Sequence, residues 1–489
     1  MSDHAAGGWE AVIGIETHVE LQTDSKMFCG CAVAFGAPPN TTVCPVCLGL
    51  PGALPVPNEA AIEGILRIGA ALKCELVPYS EFSRKNYFYP DLPKNYQISQ
   101  YDLPLCIDGS IDIETDGLVS SVGITRVHME EDTGKSLHIG EGGRIADADH
   151  SLLDFNRSGV PLVEIVSEPD IRTADEARAY GAEIQRIVRS LGVSDARLEE
   201  GSMRFDANIS VRPAGSSELG TRTEVKNVNS LRSVQRAISF EITRQIRVLE
   251  GGGSITQETR HWNEDMGVTK SMRSKEESED YRYFQEPDLV PLEVDDAWRA
   301  RVAASLPPLP SVRRAQYREL GLDMINAGML VDDADLGAVF DEAIAAGADP
   351  GVAANWLTGE VVAYLRREGV AVDDTSLEAG HIVELTEMVA GGDLSATAAK
   401  DVLGGVLAGE GTPRRVAADR DLIQISDVGV IEAAVDSVLD DNGDALERMR
   451  DGDMKPVGFL VGQVMRVTGG KADPKVVSEL IRARANRTT

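Results

Sequence analysis

Between Val12 and Leu21 the chain alternates: Ile13, Ile15, Val19 and Leu21 are apolar, and Gly14, Glu16, His18 and Glu20 fall between them. Neighbouring side chains on a strand point to opposite faces, so this segment predicts a strand with one packed face and one polar face. Thr17 falls with the packed set. Met203 to Arg212 repeats the division, with Met203, Phe205, Ala207, Ile209 and Val211 inward and Arg204, Asp206, Asn208, Ser210 and Arg212 outward. Gly123 to Glu131 follows it less cleanly, with Arg126, His128 and Glu130 in phase. Antiparallel sheets commonly pack one face and leave the other open. Here the open faces bring carboxylates, imidazoles and guanidiniums together.

Helical period takes over elsewhere. Thr173 and Glu176 form a capping box, Tyr180, Ile184, Ile187, Val188 and Leu191 follow at helical spacing, and Gly192 ends the run. A second helix is predicted from Ser230 through Leu231, Val234, Ile238, Ile242 and Leu249 to the stop at Gly251-Gly252-Gly253. From Asp295 onward the chain is Ala-rich and helical in period, with a break at Gly409-Glu410-Gly411-Thr412-Pro413. These shifts divide the chain into 1–294, 295–408 and 409–489. Gly458 and Gly462 predict close helix packing within the last part.

Composition narrows the function. The 489 residues carry 48 basic and 79 acidic side chains, a balance of −31, which argues against a free-standing nucleic-acid binder. From Arg466 to Thr489 six basic residues face two acidic ones, a balance of +4 that leaves −35 for the rest. Met1-Ser2-Asp3-His4 does not begin a signal peptide, and the longest uncharged stretch, 27–58, holds six prolines and cannot form a membrane helix. A cytoplasmic protein is expected, with no membrane association.

The candidate chemistry sits on the open faces. Glu16 and His18 share one strand face, and Glu130, Glu131, Glu164 and Asp206 lie on other alternating segments. Oxygen-rich groups with few nitrogens suit magnesium and bridged phosphates; a solvated amphipathic sheet face fits the spacing as well. Glu130 and Glu131 are adjacent, so they share a site only where the strand ends or bulges. Gly134-Lys135-Ser136 is not a P-loop, because the upstream glycine position is Met129. Cys29, Cys31, Cys44 and Cys47 have the spacing of a closed, structural zinc site, whereas Cys74 and Cys106 read as core residues. Between Tyr79 and Tyr101, seven aromatics are interleaved with Arg84, Lys85 and Lys94, which suits either nucleotide stacking or packing on the sheet.

The strings GIETHVEL (14–21), RKNYFYPDLPKNYQISQYDLP (84–104), ITRVHMEEDTGKS (124–136), PLVEIVSEPDI (161–171), RFDANISVRP (204–213) and DYRYFQEPDLVPL (280–292) resemble the GatB/GatE family of tRNA-dependent amidotransferase subunits. The resemblance covers essentially the whole chain and leaves no room for the domain inserted in GatE. It implies an α+β fold: an antiparallel-sheet cradle related to glutamine synthetase and guanidino kinases, a helical domain, and a small YqeY-like tail that binds tRNA. It implies ATP-dependent phosphorylation of the side-chain carboxylate of Glu-tRNA(Gln) or Asp-tRNA(Asn), followed by amidation with ammonia.

Carried onto matching positions, Glu16, His18, Glu130, Glu131, Glu164 and Asp206 become the expected magnesium ligands. Lys85, Lys94 and Glu131 become the lining of the ammonia route, and Arg204 and Asn208 nucleotide contacts. The resemblance further implies a GatA-type amidase that releases ammonia and a GatC-type small subunit, since no amidase signature is present here. Bound Zn2+ is implied by the retained cysteines, and ATP and Mg2+ by the reaction. Two other readings fit the residues alone: a non-catalytic tRNA-binding or assembly subunit, and a self-sufficient ligase using free ammonia.

Overall fold

A computed structural model describes residues 5–6, 8–140, 148–274, 281–424 and 428–486. Met1, Ser2, Asp3, His4 and Thr489, named above, lie outside the described residues, as do Asp280, which opens the last quoted string, and Arg487, one of the six basic residues counted in the tail. The chain forms two compact units, one ending at Ser311 and the other starting at Val312.

The first unit is built on one large sheet. Its strands in chain order are β1 (Trp9–Glu20), β2 (Ser83–Asn86), β3 (Tyr96–Ser99), β4 (Cys106–Thr115), β5 (Leu118–Glu131), β6 (Pro161–Ser167), β7 (Met203–Pro213), β8 (Thr223–Val228), β9 (Glu258–Asn263), β10 (Val268–Ser274) and β11 (Phe284–Gln285). They lie in the order β10-β9-β8-β7-β1-β6-β5-β3-β2-β11, and β4 pairs with β5. Short strands at Ala5–Ala6 and Glu75–Leu76 pair antiparallel with β1 and β4. The expected antiparallel sheet needs one correction, because β8 and β9 pair in parallel. A helical crossover between them brings the chain back in the same direction, which a hairpin cannot do.

That crossover is α3 (Leu231–Glu250), capped by the Ser230 side chain as its sequence signalled. It joins α1 (Glu59–Ala71) and α2 (Ala174–Ser190), and α2 carries the complete Thr173/Glu176 capping box. Ile13, Ile15 and Val19 of β1 and Phe205, Ala207 and Ile209 of β7 enter one core with Ile65 of α1, Ile184 and Val188 of α2, and Val234 and Ile238 of α3. Burying each large apolar side chain contributes about 1.5–3 kcal/mol. The helices therefore cover the face that alternation marked as apolar, and the polar face is left to carry chemistry. Val302, on the helix Asp296–Ala304, also packs into this core.

From Val312 the described elements are all helical. One core runs from Tyr317 to Ala417, past the Gly409–Pro413 break, and a separate one starts at Ile431 and ends at Ala485. The expectation for Gly458 and Gly462 is not met. The helix Pro456–Val467 buries Val457, Leu460 and Val464, and both glycines turn to solvent with open space around them.

Candidate functional site

Register decides which polar groups meet. On β1, His18 faces Glu164 of β6 and Arg204 of β7, and Glu16 faces Asp206 of β7. Glu164 in turn faces His128 of β5, two residues before Glu130. Directly opposed side chains on adjacent strands lie close enough to interact. Three neighbouring strands thus place one imidazole–carboxylate row across the polar face, where His128, Glu130 and Glu164 are themselves buried.

His18, Glu130 and Glu164 form the first group, with ligand atoms within 4.8 Å of one another. His18 Nε2 is 3.4 Å from Glu164 Oε2 and 3.8 Å from Glu130 Oε2, and His128 Nε2 is 3.6 Å from Glu164 Oε2. Glu16, Asp206 and Glu224 form a second group of the same span. Lys226 Nζ lies 2.6 Å from Asp206 and 2.9 Å from Glu224, and Asn208 Nδ2 donates to Glu16 Oε1 at 2.9 Å. Both donor sets are rich in oxygen, which is what a hard divalent cation takes.

The charges interlock. Burial disfavours a charged His18 ring, but its hydrogen bond to Glu164 and the Glu164, Glu130 and Asp206 charges outweigh that and push it up to about 9. Burial also opposes ionisation of Glu164, yet the flanking His128 and His18 hold its carboxyl below the usual carboxylate range. Burial, then Glu164, Asp206 and Glu224, raises Glu16. Lys85 Nζ sits 3.4 Å from Glu130 Oε1, and that carboxylate, against the cost of burial, holds the ammonium charged. The face is a set of carboxylates kept compact by cationic side chains, an arrangement into which a metal ion can exchange.

Glu131 does not join this row. The strand ends there, and Glu131 Oε1 accepts from the backbone N–H of Ile98 at 2.9 Å and pairs with Lys94. Both partners are nearly enclosed, with side chains 3% and 8% exposed, so the pair is a fixed feature rather than a surface contact. Arg204 is committed as well: both terminal nitrogens lie 3.0 Å from Asp132 Oδ2, and one is 3.6 Å from Glu20 Oε1. Burial and the neighbouring Asp132 push Glu20 up to about 8, while Arg204 and Arg157 overcome burial and hold Asp132 low.

The cysteine knuckle adjoins this region within the first unit. The Cys29, Cys31, Cys44 and Cys47 sulfurs all lie within 4.8 Å of one another, and those of Cys44 and Cys47 are 3.9 Å apart. Tetrahedral thiolates at zinc bond lengths stand about 3.8 Å apart, so the donors fit that ion. A hydrogen bond with Cys29 is the largest influence on Cys47 and lowers it to about 4, with Lys26 assisting. Lys26 is almost wholly buried, with Nζ 3.7 Å from Cys47 Sγ and donating to the Phe155 carbonyl at 3.3 Å. Cys106 is buried beneath α1, and Cys74 packs against the same core.

The aromatic segment does two things. Phe82 is core, whereas Phe88 and Tyr89 are exposed. Lys85 Nζ lies 5.3 Å from the Tyr281 ring, and Tyr101 stacks on Tyr283 at 4.1 Å. Sequence reasoning assigned no role to His128, Glu224, Lys226, Glu20 or Asp132. Their signals were present: Glu224 and Lys226 alternate with Thr223 and Val225. The alternation breaks at Asn227, where the register shifts and Val228 turns inward, and the segment is too short to stand out without its neighbour β7. On the tail, Arg466, Lys475 and Arg482 are exposed, while Arg484 bonds Asp436 at 2.7 Å.

Two family models match the chain. One, described as the GatB/GatE catalytic domain, covers residues 11–300, and one described as a GatB domain covers 338–484. Relatives named as B subunits of aspartyl/glutamyl-tRNA(Asn/Gln) amidotransferase match over nearly their full lengths. The one from Synechocystis sp. is 49% identical over 480 residues, 97% of each chain. Those from Frankia casuarinae and Moorella thermoacetica are 52% and 50% identical, covering 97% of this chain and 95% and 99% of their own. The residues of the polar site, Glu16 to Lys226, all lie inside the first matched region, and at this identity and coverage the chain belongs to the GatB/GatE family.

Proposed function

We propose that this chain is the activating subunit of a glutamine-dependent tRNA amidotransferase and that its open sheet face is where the carboxylate is phosphorylated. Its family relatives are B subunits of aspartyl/glutamyl-tRNA(Asn/Gln) amidotransferases, carbon–nitrogen ligases that act on tRNA. The partners are then a GatA-type amidase, a GatC-type small subunit, and Glu-tRNA(Gln) or Asp-tRNA(Asn). The observation that carries the reading is the row His18–Glu164–His128 with Glu130, set beside the Glu16–Asp206–Glu224 group on one face.

A carboxylate resists ammonia because its leaving group would be oxide. Transfer of the γ-phosphoryl group of ATP to a carboxylate oxygen gives an acyl phosphate, and ammonia then forms the C–N bond as phosphate leaves. Magnesium at His18, Glu130 and Glu164, with Glu16 and Asp206 nearby, would supply charge neutralisation for the phosphates. Lys85 and Lys226 add fixed positive charge at either group. Lys85, Lys94 and Glu131 suit the side on which ammonia enters, and Glu131, held by Lys94, sits at the end of the same strand as Glu130.

Arg204 and Asn208 orient Asp132 and Glu16, so their contribution to nucleotide binding runs through those carboxylates. This reading keeps a catalytic region over 1–294, a helical region over 295–408 and a tail over 409–489, although packing carries the first core on to Val302 and the second to Ala417. The helix-backed sheet with one open face supports a glutamine synthetase- and guanidino kinase-like cradle, and the exposed Arg466, Lys475 and Arg482 support tRNA contact by a YqeY-like tail. Zinc at the four cysteines is structural, because four thiolates close its coordination.

The test is amidation by a complex reconstituted with GatA-type and GatC-type subunits, supplied with ATP and ammonium so that the amidase is bypassed. Glu16→Ala and Asp206→Ala should each abolish product. Full activity in both would leave the chain as a non-catalytic assembly subunit.

A further inference from the structure

The four-cysteine knuckle touches the Lys94–Glu131 pair by three routes. Gly49 closes the knuckle turn: its N–H donates to Val46 O at 3.0 Å, and Leu50 N donates to Pro45 O at 2.9 Å. Gly49 adopts φ +65°, and a Cβ there would stand 2.5 Å from Lys94 Cγ and 3.0 Å from Lys94 Cα. The turn after Cys47 is therefore pressed directly on the Lys94 backbone and stem. Second, the ring of Phe28, adjacent to Cys29, lies 5.8 Å from Lys94 Nζ and is braced edge-on by Phe82. Third, Gly159 fits between the two features. A Cβ on it would stand 3.6 Å from Cys47 Cβ and 3.8 Å from Glu131 Oε2. Its carbonyl accepts from Met27 N at 2.8 Å, and Ser158 Oγ donates to Cys47 O at 3.3 Å.

We propose that the knuckle is a positioning element for the Lys94–Glu131 ion pair, so that metal binding at Cys29, Cys31, Cys44 and Cys47 and the geometry of that pair depend on each other. Both members of the pair are enclosed, and Glu131 is also fixed by the Ile98 N–H. Lys94 is thus the member whose place depends on what presses on it from behind. Metal bound at the four sulfurs would tie Cys29 to Cys44 and Cys47, and so hold Phe28 and Gly49 together around the Lys94 stem. Without that tie the turn at Gly49 and the ring of Phe28 belong to two separate loops. Coupling of this kind is reciprocal in equilibrium terms: whatever the metal contributes to the pair, the pair contributes to metal affinity. Any effect on amidation rests on the amidotransferase reading above, whereas the linkage between metal and ion pair does not.

The test is zinc affinity of the assembled complex, measured by competition with a colorimetric chelator. The double variant Lys94→Met/Glu131→Gln removes the pair without leaving a buried charge unmatched, and it alters no cysteine. It should weaken zinc binding by about tenfold, the size of effect seen when groups outside the ligand set are removed. The exposed pair variant Lys73→Met should leave affinity unchanged. Wild-type zinc affinity in a folded double variant overturns the proposal. Gly49→Ala supplies the converse arm: ammonium-dependent amidation should fall while one zinc per chain is retained. Weakened zinc binding in the double variant with unchanged amidation in Gly49→Ala would uphold the linkage and remove Lys94 from the reaction route.

Discussion

His18 Nε2 lies 3.4 Å from Glu164 Oε2, and the two residues are direct register partners on β1 and β6. The contact is therefore set by the sheet and does not depend on a loop. His128 approaches the same oxygen from the next strand, at 3.6 Å, so one carboxylate is flanked by two imidazoles. A carboxylate so placed is ready to share a cation, and the backbone ladder holds its neighbours in place before any substrate arrives.

Replacing His18 tests that arrangement. His18→Ala leaves Glu130 and Glu164 facing each other without the group between them, while Val19 and Ile15 still anchor the strand. Ammonium-dependent amidation should fall by about 10²–10³, the usual loss when one preorganised electrostatic group is removed. Rates are read in the reconstituted complex at saturating ATP. Wild-type turnover in that assay would take His18 out of the reaction.

The second carboxylate group predicts a different response. Glu224 and Asp206 share Lys226 Nζ at 2.9 and 2.6 Å. Glu224→Gln removes one negative charge and leaves the fold of β8, whose Thr223 and Val225 are buried, intact. The magnesium concentration needed for half-maximal ATP turnover should rise several-fold, with a smaller change in the maximal rate. A titration that superimposes on wild type would show that Glu224 only neutralises Lys226.

Much of this face was legible in the sequence, for physical reasons. Period two marked Glu16, His18, Asp206 and Asn208, because β1 and β7 are long, half-buried strands with a clean alternation. Register was not legible: nothing local says that Glu164 stands opposite both His18 and His128, or that Glu224 of β8 meets Asp206 of the adjacent β7. Adjacent carboxylates were ambiguous for the same reason. The chain resolves Glu130 from Glu131 by ending β5, after which Glu131 turns to Ile98 and Lys94. The parallel β8–β9 pair was likewise hidden, since α3 looks the same whether its chain returns parallel or antiparallel. Gly458 and Gly462 misled because spacing alone does not say which helix face is buried.

Core packing gives a stability prediction at Gly181. A Cβ on this α2 residue would stand 2.9 Å from Leu231 Cδ2 and 3.0 Å from Phe205 Cζ, where α2, α3 and the sheet meet. Gly181→Ala relieves the backbone entropy of a helical glycine, about 0.5–1 kcal/mol. Overpacking a full core costs about 1–3 kcal/mol, and that term should win. Chemical denaturation should show a net loss of stability, and a gain would mean that Phe205 and Leu231 have room to move.

Glu258 provides a pH test away from the polar face. It accepts from Arg260 Nη1 at 2.5 Å and also pairs with Ser271 on β10. Burial opposes its ionisation, but the Ser271 and Arg260 hydrogen bonds and the Arg260 charge outweigh that and hold its carboxyl below 4.5. A carboxylate whose folded value is depressed contributes stability that is present above its unfolded value. That contribution is lost as the pH falls from about 4.5 through the folded value. Wild type should therefore melt above Glu258→Gln at pH 7, and the gap should close as the solution is acidified below about pH 4.5. Thermal melts of both proteins across that window measure it. A gap that stays constant into acid would mean that Glu258 stabilises the β9–β10 edge by packing and hydrogen-bond geometry, with its charge contributing nothing.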